Sequence, residues 1–366
     1  MFVKGICFLL AVCALFFCFV IYAFAEKAEI NVSARSAVLI DSDSLRVLYE
    51  KNARIRMPMA STTKIMTAVV ALECCDPRES VKIPSDAVGV EGSSVYLSEG
   101  EELTLGELLY ALLLASANDA AEAIAIHVSG SVEEFVGVMN DTAKKLGLED
   151  TSFENPHGLH SENHYTTAYD LACLTAYAFR NEEFCEMVST YKYNVKSADG
   201  TVRYLVNHNK LLKSYAGCIG VKTGFTKTSG RCLVSAARRN GLTLIAVTLS
   251  APDDWNDHRT MLDYGFKNYE SVILCEKGEK ITEAHNVSGE TVPLRLVAAG
   301  SLNVTVKKGG EDIKRVVECP RFLWETPKEN ETVGRVVFYI DGEIIGEVRL
   351  ISVIPRNMEQ KQENKN

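Results

Sequence analysis

Three short runs hold residues that together could carry out acyl transfer: Ser61-Thr62-Thr63-Lys64, Ser116-Ala117-Asn118 and Lys222-Thr223-Gly224. A serine hydroxyl is a weak nucleophile until a neighbouring base takes its proton. A lysine three residues further along a helix shares the serine's face. It can be that base when neutral, a state that burial and a second nearby cation both favour. A helix N-terminus also offers backbone N–H groups to the oxyanion that develops during attack.

Each run is weak alone, and the chain carries decoys. Ser189-Thr190-Tyr191-Lys192 repeats the first spacing, while Ser161-Glu162-Asn163 and Ser301-Leu302-Asn303 repeat the second. Context separates them. Ser61 to Lys64 leads straight into Ile65-Met66-Thr67-Ala68-Val69-Val70-Ala71-Leu72, which predicts a buried helix with Ser61 near its first turn. Ser189 sits in a polar, tyrosine-rich stretch with no such helix after it.

Ser116-Ala117-Asn118 lies between two apolar helical runs, Leu108 to Leu114 and Ala120 to Ile126. Small polar residues wedged there need partners, because an unpaired buried polar group is costly. One reading is a helix cap. The other is a cleft wall, with Ser116 relaying a proton and Asn118 holding a substrate amide. Lys222-Thr223-Gly224 precedes two predicted strands, Cys232 to Ala237 and Leu242 to Leu249. A glycine on such an edge lets the backbone approach a ligand, and a lysine there can pair with a carboxylate.

With these residues in view, the chain resembles the low-molecular-mass penicillin-binding proteins, specifically the D-alanyl-D-alanine carboxypeptidases. The resemblance runs from about Ala34 to Arg356. It includes Asn155-Pro156-His157-Gly158-Leu159, Tyr169-Asp170-Leu171-Ala172 and Asn207-His208-Asn209-Lys210-Leu211-Leu212. The resemblance implies that Ser61 is acylated with Lys64 as its base, that Ser116 and Asn118 form a second wall, and that Lys222, Thr223 and Gly224 receive the substrate's terminal carboxylate. It also implies an oxyanion hole from the backbone N–H groups of Ser61 and Phe225. Some members carry a histidine where Phe225 stands, so only a backbone role is expected there. The implied fold is α+β: a β-lactamase/transpeptidase-like domain with a largely antiparallel central sheet flanked by helices.

The elements that would position these residues follow that order. Val38-Leu39-Ile40 and Val47-Leu48-Tyr49 predict paired strands, helices follow from Ser61 to about Leu148, and strands return from about Val195. The chain divides near Leu274 to Lys280. Beyond it, period-two strands are predicted over residues 292–297, 302–306, 313–317 and 333–340, with Asp341-Gly342 as a tight turn before 344–351. The expected division is a secretory signal over 1–25, a serine peptidase domain over 26–276, a small all-β domain over 277–356 acting as a spacer, and a disordered polar tail over 357–366.

Composition agrees with an exported enzyme. The chain has 366 residues, enough for two domains, and its net charge is −9. An acidic chain without basic clusters argues against nucleic acid as a partner. Lys4, the apolar run Ile6 to Phe24 and Ala23-Phe24-Ala25 read as a signal peptide cleaved after Ala25, with an uncleaved anchor as the alternative. Many family members end in an amphipathic membrane-binding helix; Met358 to Asn366 is polar instead, which leaves peripheral membrane association open. Of the eleven cysteines, those after Ala25 lack disulfide-scaffold spacing and are expected as buried free thiols. No C-x-x-C pair exists, and His157, His160 and His164 read as ordinary loop histidines, so neither a metal nor another cofactor is expected.

The resulting expectation is a serine carboxypeptidase that removes the terminal D-alanine from peptidoglycan stem pentapeptides and is inhibited by β-lactams. A β-lactamase-like hydrolase is one competitor, although the glutamate pattern such enzymes use for deacylation is missing. A catalytically silent cell-wall-binding protein is the other.

Overall fold

The computed structural model describes residues 30–287 and 293–354. The expected signal segment and the tail beyond Ile354 lie outside the described residues. Among the described residues, those from Val32 to Ile354 belong to one unit.

The chain opens with the antiparallel pair β1 (Ser36–Asp41) and β2 (Val47–Lys51), then makes a tight 3-10 turn over Ala60–Thr63 that runs into helix α1 (Lys64–Cys74). A short pair follows, β3 (Ser80–Lys82) with β4 (Glu102–Thr104). Helices α2 (Leu105–Leu114), α3 (Asn118–Ser129), α4 (Val132–Lys145), α5 (Ala168–Ala178) and α6 (Glu182–Ser189) come next. Thr104 and Glu107 make a reciprocal capping box at the start of α2, which fixes where that apolar helix begins. A hairpin of β5 (Lys192–Lys196) and β6 (Val202–Val206) and the single turn α7 (Leu211–Ser214) lead to β7 (Cys218–Thr226), β8 (Gly230–Arg239) and β9 (Leu242–Leu249). Helix α8 (Asp254–Asn268) closes this half.

β1, β2, β7, β8 and β9 make a five-stranded sheet in the order β2-β1-β9-β8-β7, antiparallel throughout. Every residue of β1 and β9 is buried. Strands in the middle of a sheet bury both sets of alternating side chains only when both faces are covered. Helices α5 and α8 pack against these strands. β7, which carries Lys222-Thr223-Gly224, is an edge strand and lies against the 3-10 turn that holds Ser61.

The second half is all β. Strands β10 (Tyr269–Cys275), β11 (Lys280–Asn286), β12 (Leu294–Ala298), β13 (Leu302–Lys307), β14 (Ile313–Glu318), β15 (Phe322–Leu323), β16 (Thr332–Ile340) and β17 (Glu343–Val353) build a six-stranded sheet, β14-β16-β17-β12-β11-β15, and a separate β10-β13 pair. The Asp341-Gly342 turn between β16 and β17 has positive φ at both residues, 51° and 86°, as a tight hairpin requires. This half has its own core around Leu296, Ala298, Val336, Phe338 and Leu350. β10 precedes the expected division yet pairs with β13 in the second half.

Arg46 of the first half clasps Glu311 of the second through two guanidinium nitrogens and also donates to the Thr305 carbonyl at 2.6 Å. Two expectations need correction. The stretch between α1 and α2 is not wholly helical, because β3 and β4 intervene and pair with each other. The cysteines after Ala25 are free, but only Cys232 and Cys275 are fully buried, and Cys74 is exposed. No helix among the described residues is long and apolar enough to cross a membrane.

Candidate active site

The Asn155-to-Leu159 loop builds one side of the site from its own composition. The Asn155 carboxamide closes the loop on itself, accepting from the Gly158 N–H at 2.7 Å and donating to the Leu159 carbonyl at 2.9 Å. Thr67 of α1 donates to the Pro156 carbonyl at 2.5 Å and ties the loop to the helix. Gly158 then lies against the turn before α1 with φ of 93°; a Cβ there would meet the Ala60 carbonyl oxygen at 1.9 Å. Only glycine fits. The outcome is that the His157 carbonyl points at the Lys64 amine, 2.6 Å away.

Lys64 is fully buried. Its Nζ lies 2.6 Å from the His157 carbonyl, 2.7 Å from Asn118 Oδ1 and 3.1 Å from Ser61 Oγ. The first two are oxygens that can only accept. A neutral amine has two N–H donors and one lone pair. The two carbonyls take the donors, so the lone pair is left facing the Ser61 hydroxyl. Burial, with the positive charge of Lys222 second, pushes the Lys64 amine well below its ordinary range; Asp119 opposes them weakly.

Ser61 sits in the 3-10 turn ahead of α1 rather than in the helix itself. Ala60 before it has φ of 48°, a left-handed backbone that costs energy in a residue with a Cβ. The second strained residue of this kind in the cleft is Ser116, with φ of 61°. Ser116-Ala117-Asn118 links α2 to α3, and Ala117, not Ser116, occupies the position before the helix; no side chain caps it. The capping explanation is thereby removed. Asn118 opens α3, holds Lys64 through its oxygen and donates from Nδ2 to the Glu91 carbonyl. One lone pair and one N–H of its carboxamide remain for a ligand.

Lys222 is buried at 1% exposure, with its Nζ 3.0 Å from Ser116 Oγ and 2.8 Å from the Thr223 carbonyl. Burial pushes its amine down to about 7. It therefore titrates near neutrality, and an approaching carboxylate favours the charged form. Thr223 and Gly224 are half-buried, and Phe225 is 66% exposed. A Cβ on Gly224 would lie 3.0 Å from the Ser61 backbone nitrogen and 3.2 Å from the Met59 carbonyl, so the absence of a side chain is what lets β7 close on the Ser61 turn. Ser61, Ser116, Thr223, Gly224, Phe225 and Trp255 line a cleft of about 350 Å³.

The structure thus brings together all eight residues singled out from the sequence. The decoys stay apart from the cleft: Ser189 ends α6 and donates to the Glu186 carbonyl, and Ser161 contacts Glu154. Of the loop histidines, His157 Nε2 lies 3.0 Å from Glu122, and His164 Nε2 lies 2.7 Å from Thr63 Oγ1, with burial pushing the His164 imidazole down to about 4.

Several contributors escaped the sequence reading. Asp119, almost fully buried, accepts from the backbone N–H groups of Val95 and Leu97 and fixes the loop beside the second wall. Arg231, paired with Asp254 at 2.8 Å, also lines the cleft, beside His208 of the Asn207-to-Leu212 segment noted in the sequence. The position of Asp119 directly after Ser116-Ala117-Asn118 was the available signal for the first; nothing local marks Arg231.

Comparison with known proteins adds an independent line. The family pattern described as D-alanyl-D-alanine carboxypeptidase matches residues 23–253, and that of the penicillin-binding protein 5 C-terminal domain matches residues 269–353. The D-alanyl-D-alanine carboxypeptidase DacF of Bacillus subtilis is 35% identical over 340 residues, covering 89% of this chain and 87% of that protein. Penicillin-binding protein 5 from Haemophilus influenzae superposes with a TM-score of 0.76 at 28% identity, over 89% of this chain and 98% of its own. The Streptomyces K15 DD-transpeptidase superposes with a TM-score of 0.63 at 33% identity, over 65% of this chain and 99% of its own.

Proposed function

The chain belongs to the D-alanyl-D-alanine carboxypeptidase family, and on that premise we propose how its cleft performs the reaction. The protein is a serine-type carboxypeptidase acting on the D-Ala-D-Ala ends of peptidoglycan stem peptides, and β-lactams bind it as they bind other penicillin-binding proteins. Its work lies outside the cytoplasm.

Ser61 is the nucleophile and neutral Lys64 takes its proton. Ser61 Oγ then bonds to the carbonyl carbon of the penultimate D-alanine. The oxyanion is held by the backbone N–H groups of Ser61 and Phe225. As the peptide C–N bond breaks, the leaving D-alanine nitrogen receives a proton through Ser116, which Lys222 supports from 3.0 Å. Lys222, Thr223 and Gly224 receive the terminal carboxylate, and Asn118 holds the substrate amide with its remaining hydrogen-bonding capacity. Water cleaves the acyl-enzyme. The observation that supports this most strongly is the Lys64 amine, whose lone pair is left for Ser61 because two carbonyl oxygens occupy its donors. Catalysis belongs to the first half, and the β domain is a spacer without catalytic groups. Removal of residues 1–25 after Ala25 would release the mature chain.

The test is to incubate the purified protein with a pentapeptide ending in D-Ala-D-Ala and follow free D-alanine. Stoichiometric release with a tetrapeptide product supports the reading. Absence of release, with the peptide bound and unchanged, would support the silent wall-binding alternative instead.

A further inference from the structure

The two helices that begin at the cleft also end side by side, at a second cluster of chemically active groups. α1 starts with Lys64 and stops at Cys74; Cys75 follows as its C-cap, its N–H bonded to the Ala71 carbonyl. α3 starts with Asn118 and carries His127 in its last turn. Between Cys75 and β3, the chain folds into a tight turn closed by the Glu79 N–H on the Asp76 carbonyl, while the Asp76 N–H donates to Glu79 Oε1, both at about 3 Å. That turn fixes the Glu79 carboxylate, and its other oxygen, Oε2, lies 3.2 Å from His127 Nε2.

Cys75 Sγ completes the group: ligand atoms of Cys75, Glu79 and His127 all lie within 4.8 Å of one another. A hydrogen bond explains Glu79 and His127 but not the thiol beside them. A tetrahedral ion with bonds of roughly 2.0–2.3 Å holds its ligand atoms roughly 3.3–3.8 Å apart, so small side-chain adjustments around the existing 3.2 Å edge suffice. The donor set is one thiolate, one imidazole and one carboxylate. It favours a borderline-soft divalent cation over calcium or magnesium, which take oxygen ligands. Among the described residues no fourth cysteine, histidine or carboxylate joins the group, and the neighbouring Asp76 is engaged by the Arg78 guanidinium, so water would complete the coordination.

We propose that Cys75, Glu79 and His127 form a binding site for a zinc-class divalent cation, one that ties together the far ends of the two helices carrying Lys64 and Asn118. On binding, the Cys75 thiol loses its proton to solvent as the sulfur–metal bond forms. The site is separate from the catalytic cleft, since the eleven residues of α1 span about 16 Å at the rise of an α-helix. Its role is structural: it fixes how α1 and α3 meet, and through them the spacing of Lys64 and Asn118.

The test uses the purified, reduced, metal-free protein titrated with Co²⁺ and followed by absorption spectroscopy. One equivalent should produce a thiolate-to-cobalt charge-transfer band with the strong visible bands of four-coordinate cobalt, and Zn²⁺ should displace it. Cys75→Ser should abolish the charge-transfer band, and His127→Ala and Glu79→Gln should each weaken binding at least about tenfold. Cys74→Ser should leave the spectrum unchanged. Zn²⁺ should raise the melting temperature of the unmodified protein but not of His127→Ala. Far-ultraviolet circular dichroism of each metal-free variant reports that its fold is intact; if Cys75→Ser fails that check, Glu79→Gln and His127→Ala carry the test. No charge-transfer band in the unmodified protein, a band that survives Cys75→Ser in folded protein, or one lost in Cys74→Ser would overturn the proposal.

Discussion

In the cleft, two lysines are fully buried with their amines within 3.1 Å of serine hydroxyls, whereas in the C-terminal half Arg335 stands half-exposed between Glu318 and Glu347. Among the described residues, every fully buried aspartate, lysine and histidine precedes Tyr269. Taking an amine out of water disfavours its charge, and a surface ion pair asks for no such sacrifice. Left-handed backbones occur in both halves, but in the second they fall on Asn330 and Asp341, residue types that tolerate them, whereas at the cleft they fall on Ala60 and Ser116 beside the reacting groups. The first half tolerates unfavourable electrostatics where they make a neutral base and a poised lysine. The second half is built as an ordinary solvated β fold, as a spacer would be.

The sharpest way to break this contrast is Lys64→Arg. Arginine keeps the charge and cannot become a neutral base, so acylation by penicillin should fall by at least ~10³-fold, measured by stopped-flow. Gly158→Ala comes next. Its Cβ would collide with the Ala60 carbonyl, and urea unfolding should show a loss of about 3 kcal/mol or more, together with slower acylation.

The pH profile sharpens the roles of the two lysines. kcat/KM for D-alanine release should rise with pH as Lys64 loses its proton, well below the ordinary lysine range. It should fall again as pH rises past about 7, where Lys222 loses the charge that meets the substrate carboxylate. Lys222→Arg stays charged, so it should keep partial activity and lose the upper limb only; an unchanged upper limb would show that another group sets it. The smallest effect is expected from Arg335→Ala, which should leave both acylation and the melting temperature within error of the unmodified protein.

The parts of this account that were legible in the sequence are those where residue type and local pattern coincide. Ser61 and Lys64 lead into a largely apolar helix, Lys222 to Gly224 precede apolar strands, and Asp341-Gly342 marks its hairpin. What was not legible depends on long-range geometry. The His157 carbonyl reaches Lys64 only through the folding of its loop, and a backbone carbonyl leaves no mark in residue type. Asp119 matters because it gathers the N–H groups of Val95 and Leu97, more than twenty positions earlier. β3 and β4 are three residues each, too short for alternation to show. The Cys75 cluster was missed because its members come from a helix end, a turn and another helix, with none of the close spacing that marks a metal motif.

The central claim is that the buried Lys64 amine makes Ser61, and no other serine, the acylated residue. Intact-mass analysis after exposure to penicillin, followed by peptide mapping, tests it most directly. The account predicts one added drug molecule per chain, located on the peptide containing Ser61 and absent in Ser61→Ala. A label that persists in Ser61→Ala, or that maps to Ser189, would contradict it.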